Sequence, residues 1–275
     1  ALGETMAVTI ILSVSGVATE QLNGAIPTVT SVWRGYIPSK YNAAGGGWAA
    51  ADWGVGDFAP AGKNPIWLAL SLMRDTQIGA GNEITDAEID LASFEASAPE
   101  ADTSETVEPV DGTPYAEPRH QLSAYIDQDQ EAVDIIQQIL STARGTLIFT
   151  GNKWRVAIDK PGTVSQVFGM GSMLMSGDGP DAESSFNLQF KSERGEVNTF
   201  EGAFDDATAD WETESHTECI DNREPLAGGG VFATIDQLVA AGLPVLRRKL
   251  QFWGVDRRSQ VARELRFCLR QAYAL

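Results

Sequence analysis

The chain has 275 residues, of which 43% are hydrophobic, and a formal net charge of −18. This apolar content supports one or two globular domains and excludes a chain that is disordered throughout. The longest apolar candidate for a membrane span, Ile66–Met73, is far shorter than a bilayer requires. Because the chain starts on Ala1 and ends in a helix-like run, we expect it to be part of a longer protein.

The charge is distributed unevenly along the chain. Residues 246–275 contain eight Lys or Arg and two acids, a balance of +6, so residues 1–245 carry −24. A basic terminus is compatible with nucleic-acid binding. We favour a different interpretation, because phosphate would be repelled by the large acidic body. The basic segment is expected to pair electrostatically with a neighbouring surface of an assembly.

The first part of the chain predicts strands and a loop. Residues rich in β-branched side chains favour strands at 6–18 and 28–37. Between them, Asn23-Gly24 is a strong turn signal. Ser39–Gly62 contains three consecutive glycines and two tryptophans, which predicts a loop.

Two helix signals follow. Asn64 precedes Pro65, an arrangement that caps a helix over Ile66–Asp75. Thr85–Glu88 is a capping box, after which Ile89, Leu91 and Phe94 are expected to pack inward. Residues 95–118 contain four prolines and seven acids with few large apolar side chains, so this segment predicts a mobile linker.

A strand, a helix and a hairpin are predicted next. Leu122, Ala124 and Ile126 alternate with polar positions and favour a strand. Capping by Asp127 and Gln130 predicts a helix over Asp129–Arg144, and Gly151-Asn152 predicts the turn of a hairpin over Thr146–Ile158. The apolar set expected to join helix and hairpin is Val133, Ile136, Ile139, Leu140 and Ala143 against Leu147, Phe149, Trp154 and Val156. Gln137 and Gln138 are expected to be exposed.

The last third of the chain predicts further strands and two helices. Phe186–Lys191, Val197–Phe204 and Trp211–Ile220 favour strands. Thr234 begins a short helix that ends at Gly242, and Ser259 caps the final helix. The apolar stripe predicted on that final helix is Val261, Leu265, Cys268 and Ala272.

The residues that could carry chemistry give weak signals. His120 and His216 have no recognisable nucleophile motif beside them, so both are interpreted as surface or edge-strand residues. Asp205, Asp206 and Asp210 could form a glycosidase pair or a Ca²⁺ loop, but they lack the required spacing and favour a solvated turn.

The remaining candidates have structural interpretations that we prefer. The glycines of Gly169–Gly179 and Gly228–Gly230 lack the order of a phosphate-binding loop. Trp48, Trp53 and Trp67 could bind a ligand but are more often buried anchors. The two cysteines, Cys219 and Cys268, are read as buried thiols. No catalytic, cofactor-binding or metal-binding residue is therefore assigned.

Several short strings occur in the order found in one protein family. Arg34–Asn42 resembles the R-x-x-x-V-P-S-N-Y stretch of J-type tail-tip proteins of long-tailed bacteriophages. In that family a Trp-containing loop follows, then N-N-P-A-W and G-x-G, which here resemble Asn64–Trp67 and Gly79–Gly81. Gene-transfer-agent tail hubs belong to the same group.

The resemblance continues through the second half. Gln121–Arg144 is similar to a strand-and-helix segment of the family, and Thr146–Pro161 resembles its L-x-W-x-G-x-K hairpin ending in D-K-P. Phe252–Arg263 echoes the pattern A-F-G-C-x-x-R-x-Q-A-x-R, with Val255 in place of the Cys. Together these patches cover most of residues 20–270.

The resemblance implies an architectural role rather than catalysis. Such proteins are homotrimeric hubs that close the distal end of the tail tube and link it to the parts that recognise the host. The implied fold is α+β, with β-rich, baseplate-hub-like domains and a few short helices packed on antiparallel sheet. We divide the chain into residues 1–118, an N-terminal hub subdomain, and residues 119–275, a β-rich hub subdomain with the basic C-terminal helix. The expected partners are other copies of the chain and neighbouring tail-tip and tail-tube proteins. The expected location is the virion, at the tail tip.

One alternative of a different class remains. Seven tryptophans and an acidic surface are also compatible with a carbohydrate-binding or carbohydrate-active domain. In that case Asp205, Asp206 and Asp210 would be the first residues to examine.

Overall fold

The computed structural model describes residues 38–50, 63–108, 112–126, 130–160, 175–176, 183–184, 197–209, 211–220 and 232–273. These ranges all lie in one compact unit, Ile37–Leu275. Helices and sheets occur together, so the predicted α+β class is confirmed. The strands predicted at 6–18, 28–37 and Phe186–Lys191 lie outside the described residues.

The secondary structure elements are numbered in chain order. The helices are α1 (Pro65–Arg74), α2 (Leu91–Ala101), α3 (Ala132–Ser141), α4 (Ile235–Ala240) and α5 (Arg258–Tyr273). The strands are β1 (Ser39–Asn42), β2 (Gly47–Ala50), β3 (Ser104–Val107), β4 (Tyr115–Pro118), β5 (Gly145–Thr150), β6 (Lys153–Ile158), β7 (Met175–Ser176), β8 (Glu183–Ser184), β9 (Thr199–Asp206), β10 (Glu212–Ile220), β11 (Phe232–Ala233) and β12 (Arg247–Gln251).

A first hydrophobic core is formed by α1, α2 and α3 with the hairpin β5–β6. Helix α1 begins as predicted, because Asn64 Oδ1 accepts a hydrogen bond of 2.9 Å from the Ile66 N–H and Pro65 occupies the first helical position. The Asn64 amide also donates to the Ala98 carbonyl of α2 at 3.0 Å. One side chain therefore both starts α1 and attaches it to α2.

Part of the predicted loop Ser39–Gly62 is a hairpin. Strands β1 and β2 pair antiparallel, with Ser39 opposite Ala50 and Asn42 opposite Gly47. Gly46 and Gly47 have φ angles of +95° and +107°, which the turn requires and which glycine adopts without strain. The glycine run was therefore a turn signal between two short strands, and the prediction of a loop is wrong for residues 39–50.

The prediction of a linker at residues 95–118 is wrong for the described residues 95–108 and 112–118. This stretch contains the second half of α2 and the antiparallel pair β3–β4, with Ser104 opposite Pro118. Ala98 and Ala101 are buried in the first core. The described parts of the segment are held by these elements and by the Arg119 guanidinium, which contacts both Glu100 and Glu105.

The strand predicted over Leu122–Ile126 is absent from the described structure. The segment is irregular, and its backbone connects elements that are distant in sequence. The Leu122 N–H donates to the Lys63 carbonyl, and the Ser123 N–H donates to the Gly254 carbonyl, each at 2.8 Å. Leu122 is buried, whereas Ala124 and Ile126 are both exposed, so the apolar alternation in the sequence does not correspond to one buried face.

The predicted helix and hairpin are confirmed as elements. Gly151 and Asn152 have φ angles of +59° and +60°, and the two strands pair from Thr150–Lys153 to Gly145–Ile158. Glu131, not Gln130, is the N-cap of α3, and Asp127 lies outside the described residues.

The predicted contact set between helix and hairpin is correct in part. Ile136, Ile139, Leu140, Ala143 and Val156 are buried in the first core, and Leu147 and Trp154 pack against it. Val133 and Phe149 are 39% and 54% exposed, so their assignment to the core is wrong. Both lie towards the open end of the unit, where the helix and the hairpin turn extend past the core.

The prediction that Gln137 is merely exposed is wrong as well. Its side-chain amide donates to the Gly145 carbonyl at 3.2 Å, and its side-chain oxygen accepts from the Leu147 N–H at 2.8 Å. Gln137 thus satisfies the outer backbone groups of β5, as a neighbouring strand would.

The second core lies between a four-stranded sheet and α5. The sheet order is β11-β10-β9-β12, with β9–β10 antiparallel and β9–β12 parallel, so the sheet is mixed and not purely antiparallel. Phe200 and Phe204 of the sheet pack against Val261, Leu265 and Leu269 of the helix. Leu269 also belongs to this core, and Cys268 of the predicted stripe packs against it while partly buried.

A small residue lets α5 approach the sheet closely. A Cβ atom on Gly202 would lie 2.7 Å from the Phe252 ring and 2.9 Å from a Val261 methyl group. The predicted capping box of α4 is confirmed, since Thr234 Oγ1 accepts from the Gln237 N–H at 3.2 Å. Ser259 lies inside α5 and not at its cap.

The first core crosses the boundary predicted between residues 118 and 119. It contains side chains from α1 and α2 on one side and from Leu122, α3 and β6 on the other. The two predicted subdomains therefore share one core in the described residues, and the boundary itself stays a prediction.

We expect Ile139→Ala to destabilise the protein by about 2–5 kcal/mol, because it leaves a cavity at a position that is 5% exposed. Gln137→Ala should cost about 1–3 kcal/mol, because the Leu147 N–H loses its acceptor. Gln138→Ala is the matched control and should stay within about 0.5 kcal/mol. Urea unfolding of the three variants measures these differences. Equal stability of the Gln137 and Gln138 variants would contradict the role given to Gln137.

Candidate functional site

A row of charged side chains on α5 and the turn before it lies against the segment Glu117–Ser123. Glu117 is 6% exposed, and its carboxylate accepts hydrogen bonds from Ser259 Oγ at 2.6 Å and Arg263 Nη1 at 2.8 Å. Its other oxygen lies 2.9 Å from Arg257 Nη1. Because residues 259 and 263 are one helical turn apart, α5 presents both donors to the same carboxylate. We call the group assembled here the charged cluster.

The same arginines also hold the backbone immediately after Glu117. Arg257 Nη2 donates to the Pro118 carbonyl at 3.0 Å, and Arg263 Nη2 donates to the Arg119 carbonyl at 2.9 Å. Each guanidinium therefore contacts the carboxylate and a neighbouring carbonyl at once. This geometry uses the planar fork of arginine, which a lysine could not reproduce.

Gln260, one helical turn after Arg257, contacts the same segment of the chain. Its side chain is fully buried, its oxygen accepts from the Gln121 N–H at 3.0 Å, and its amide donates to the Gln121 carbonyl at 3.2 Å. One glutamine side chain thus satisfies both backbone groups of a buried residue in an irregular segment.

Asp256 attaches the start of α1 to the start of α5. Its Oδ2 atom accepts from Ser123 Oγ at 2.6 Å and from Lys63 Nζ at 2.7 Å. Asp256 is 1% exposed, so its charge depends on these partners. Lys63 immediately precedes the N-cap residue Asn64, which places the first turn of α1 at the edge of the cluster.

His120, Glu264 and Arg144 form the deepest part of the cluster. His120 is 1% exposed, with Nδ1 3.4 Å from Glu264 Oε1 and Nε2 3.4 Å from Arg144 Nη2. Arg144 Nε is 3.5 Å from Glu264 Oε2, and its guanidinium lies 4.2 Å above the Phe267 ring. The side chain of Arg144 thus spans from α5 to the histidine.

Burial determines the protonation of this group. Burial, followed by the positive charges of Arg144, Arg263, Arg119 and Arg257, lowers the pKa of His120 to about 3. Burial also raises the pKa of Glu264, although the nearby arginines oppose that shift. His120 is therefore neutral at ordinary pH and is enclosed by protein, so it acts as a packed polar residue.

The cluster joins the two hydrophobic cores. Lys63 and the segment 117–123 belong to the side of the first core, and Asp256–Glu264 belong to the helix of the second. A buried ion pair adds little net stability because desolvation opposes it, but removing one partner leaves an uncompensated charge. The ion pairs of Glu117 and Asp256 are suited to fixing how the elements fit together. In contrast, His120 Nδ1 and Glu264 Oε1 are buried without a hydrogen-bond partner among the described residues.

The structure corrects the interpretation of the histidines. His120 was expected at the surface and is instead almost completely buried in the cluster. His216 lies on β10, half-buried, with Nε2 2.9 Å from Glu218 Oε1 and Nδ1 accepting from Arg258 Nε at 3.1 Å. The two histidines belong to separate groups of side chains.

The acids proposed for a glycosidase or Ca²⁺ site are used in local turn contacts. Asp206 Oδ1 accepts from the Thr208 N–H at 2.7 Å and from its hydroxyl at 2.6 Å, and Asp205 accepts from Thr213 Oγ1 at 2.9 Å. Asp210 lies outside the described residues. Among the described residues, no group of three or more His, Cys, Asp or Glu could hold a metal ion.

The tryptophans have different environments. Trp67 is a buried core residue, as predicted. Trp48 is 37% exposed, but the Arg74 guanidinium covers it at 3.4 Å and Tyr41 lies 5.1 Å away. Trp53 lies outside the described residues, and so do Gly228–Gly230 and most of Gly169–Gly179.

Two further predictions concern the cysteines and the basic terminus. Cys219 is buried as expected, whereas Cys268 is only half-buried, and both are free thiols. The +6 segment was expected to dock as a whole on a neighbour. Instead, Arg257 and Arg263 are used inside the charged cluster, and Arg266 lies 3.0 Å from Glu218.

The sequence analysis missed Glu117, Gln260 and Asp256 as members of one site. Their partners are 133–146 residues apart in the chain, so no local pattern connects them. The available signal was the spacing of Arg257, Gln260 and Arg263, which places three long polar side chains on one face of α5.

No family model matches the chain. Within the described ranges, none of the helices has the length and apolar character that crossing a membrane would require.

We expect Glu117→Ala to cost about 3–5 kcal/mol, because Arg257 and Arg263 then remain buried without their counter-charge. The matched control is Glu83→Gln, an exposed acid, which should change stability by less than about 0.5 kcal/mol. Denaturant midpoints of both variants measure the difference. If the two variants were equally stable, the cluster would not support the fold.

The depressed pKa of His120 predicts a dependence of stability on pH. Between pH 6.5 and about 3 the unfolded chain binds a proton at this residue that the folded chain does not, so its contribution is complete above pH 6.5 and is lost as pH falls. Glu264 acts in the opposite sense, because its raised pKa stabilises the fold at low pH and this gain is lost as pH rises.

The two effects are separated by His120→Asn. Relative to the variant, the wild-type protein should lose up to about 1.4 kcal/mol of stability per pH unit as pH falls through this window. Above pH 6.5 the two stability curves should run parallel. Denaturant unfolding at a series of pH values is the measurement, and parallel curves over the whole range would contradict the buried neutral histidine.

Proposed function

We propose that this chain is a structural part of a bacteriophage tail tip, a hub protein that closes the distal end of the tail tube and links it to the host-recognition parts. In the assembled virion it would act as a homotrimer with other tail-tip and tail-tube proteins as neighbours. It would position other proteins and would not turn over a substrate.

One observation carries the proposal. Three of the family-like patches, which are far apart in the sequence, contact one another in the charged cluster. The patch beginning at Asn64 is joined to Gln121–Ser123 through the bond from the Leu122 N–H to the adjacent Lys63 carbonyl. Gln121–Ser123 is joined to the patch Phe252–Arg263 through Gln260 and Gly254.

This arrangement gives the resemblance a physical reason. The Arg, Gln and Arg of the family pattern fall on Arg258, Gln260 and Arg263. Gln260 meets Gln121 and Arg263 meets Glu117, whereas Arg258 donates to His216. Two residues that carry the likeness therefore share the task of holding the segment 117–121 against α5. Such a task favours the interpretation as an architectural protein, whose function depends on the relative placement of its elements.

The carbohydrate alternative has less support from the described residues. Asp205 and Asp206 accept hydrogen bonds from threonines of their own turn. The exposed tryptophan of the described hairpin, Trp48, has an arginine over its ring. A sugar platform requires an open aromatic face, so this pairing favours a structural role for the hairpin.

We expect an antibody against this chain to label the distal tail tip of particles of the phage or prophage that encodes it. Gold labelling viewed by electron microscopy is the measurement. In the same particles, Glu117→Ala should reduce the fraction with complete tails, whereas Glu83→Gln should leave it unchanged. Labelling of the head or tail shaft, or glycan cleavage abolished by Asp205→Asn or Asp206→Asn, would contradict the proposal.

A further inference from the structure

The four-stranded sheet has outer strands of opposite charge. On one side, β10 carries Glu212 and Glu214 as exposed acids, and β11 pairs only with Cys219 and Ile220 at its far end. On the other side, β12 carries Arg247, Arg248 and Lys249, all exposed. We call these the acidic edge and the basic edge.

The hydrogen-bond pattern shows which backbone groups of β12 point away from the sheet. The Leu246 carbonyl accepts from the Thr199 N–H at 3.2 Å, and the Phe252 N–H donates to the Ala203 carbonyl at 2.9 Å. Even-numbered residues around β12 therefore face β9, and the backbone groups of Arg247, Lys249 and Gln251 point outward.

The same alternation applies to β10. On β9, the backbone groups of odd-numbered residues bond to β12, and those of even-numbered residues therefore bond to β10. Phe204 lies opposite Glu214, and Gly202 lies opposite His216. The backbone groups of Thr213, Ser215 and Thr217 then point outward. In the part of the chain that the structure describes, no strand pairs with β10 at these three residues or with β12 on its outer side.

The exposed charges of the two edges have few partners within the chain. Among the described residues, Glu212, Glu214, Arg247 and Arg248 form no ion pair. Lys249 contacts Glu201 at 3.1 Å, yet its side chain remains 79% exposed. In contrast, Arg257 and Arg263 both form ion pairs with Glu117 in the charged cluster.

Charge determines which edges can meet. Two acidic edges or two basic edges would repel one another, which is how exposed strands avoid pairing with identical strands. An acidic edge and a basic edge attract. Arg248 lies opposite Phe200 and Glu214 lies opposite Phe204, so both side chains are on the sheet face that carries the second core. Pairing the edges would therefore bring opposite charges to the same face.

We propose that the basic edge of one copy of this chain pairs with the acidic edge of a second copy and continues the sheet from one subunit to the next. The direction of the strands fits, because β12 is parallel to β9 and β10 is antiparallel to it, so the new contact is an ordinary antiparallel one. The contact is head-to-tail, and repeated head-to-tail contacts form a ring when the rotation closes. That the ring closes at three copies rests on the proposed function, whereas the pairing of the edges does not.

The test uses charge reversal on the full chain. One variant, R247E/R248E, makes both edges acidic, and a second, E212K/E214K, makes both edges basic. In low salt, each variant alone should have an affinity for itself about tenfold or more below that of wild type, because like charges then face each other. Mixing the two variants, or combining all four substitutions in one chain, should restore association. Sedimentation velocity measures the species, and equal thermal midpoints confirm that each variant folds.

A second readout locates the contact. Carbodiimide cross-linking of mixed isotope-labelled and unlabelled Arg248→Lys chains should join position 248 of one copy to Glu212 or Glu214 of another, because these three positions lie on the same face of the sheet. A wild-type chain that stays monomeric at its highest soluble concentration in low salt, or variants that associate as strongly as wild type, would overturn the proposal. Labelling at the tail tip without the charge-reversal pattern would refute only the edge pairing. The charge-reversal pattern without tip labelling would refute only the tail function.

Discussion

A single buried carboxylate, that of Glu117, holds the described structure together. Arginines from α5 and the turn before it converge on this group, and each also binds a carbonyl beside it. The two hydrophobic cores are otherwise built from different elements, helices and a hairpin in one and a sheet with α5 in the other. Polar contacts around Glu117, Gln260 and Asp256 determine how these two halves fit together.

This cluster also explains why an acidic, proline-rich stretch is ordered. Residues 95–118 bury too few apolar side chains to offset the entropy of ordering them. The stretch is fixed at its end by Arg257 and Arg263, and along its length by Arg119 with Glu100 and Glu105. The acids that made the stretch resemble a linker are the same groups that attach it to the rest of the protein.

The sequence predicts well those features whose cause lies within a few residues. The Asn64 cap of α1, the turn at Gly151-Asn152 and the Thr234 capping box each depend on neighbours in the chain, and each is confirmed. The alternation at Leu122–Ile126 was misread as a strand, because Leu122 is buried while Ala124 and Ile126 are exposed, and the segment bonds to Lys63 and Gly254 instead of a neighbouring strand. Such a segment and a strand cannot be distinguished without knowing what lies on either side.

The candidate site could not be predicted for the same reason. Glu117 meets Ser259 and Arg263 across 142 and 146 residues, and its own surroundings in the sequence are those of a solvated acid. His120 gave no sign of burial, because the carboxylate and guanidinium that surround it come from Glu264 and Arg144.

The basic C-terminal segment serves two purposes that composition alone could not separate. Arg257 and Arg263 face inward and neutralise buried acids, whereas Arg247 and Arg248 remain on an open sheet edge. A net charge of +6 therefore describes neither surface well. The position of each cation relative to α5 and β12 decides whether it stabilises the fold or faces outward.

The central claim is that the charged cluster makes the two cores one cooperative structure. Native-state hydrogen exchange of the backbone amides of Ile136 in α3 and Leu265 in α5 tests this claim most directly, because both residues are fully buried and belong to different cores. The account predicts that both amides exchange with the same free energy of opening and respond equally to denaturant. If α5 opened at a much lower free energy while α3 stayed protected, the cores would be independent and the claim would be contradicted.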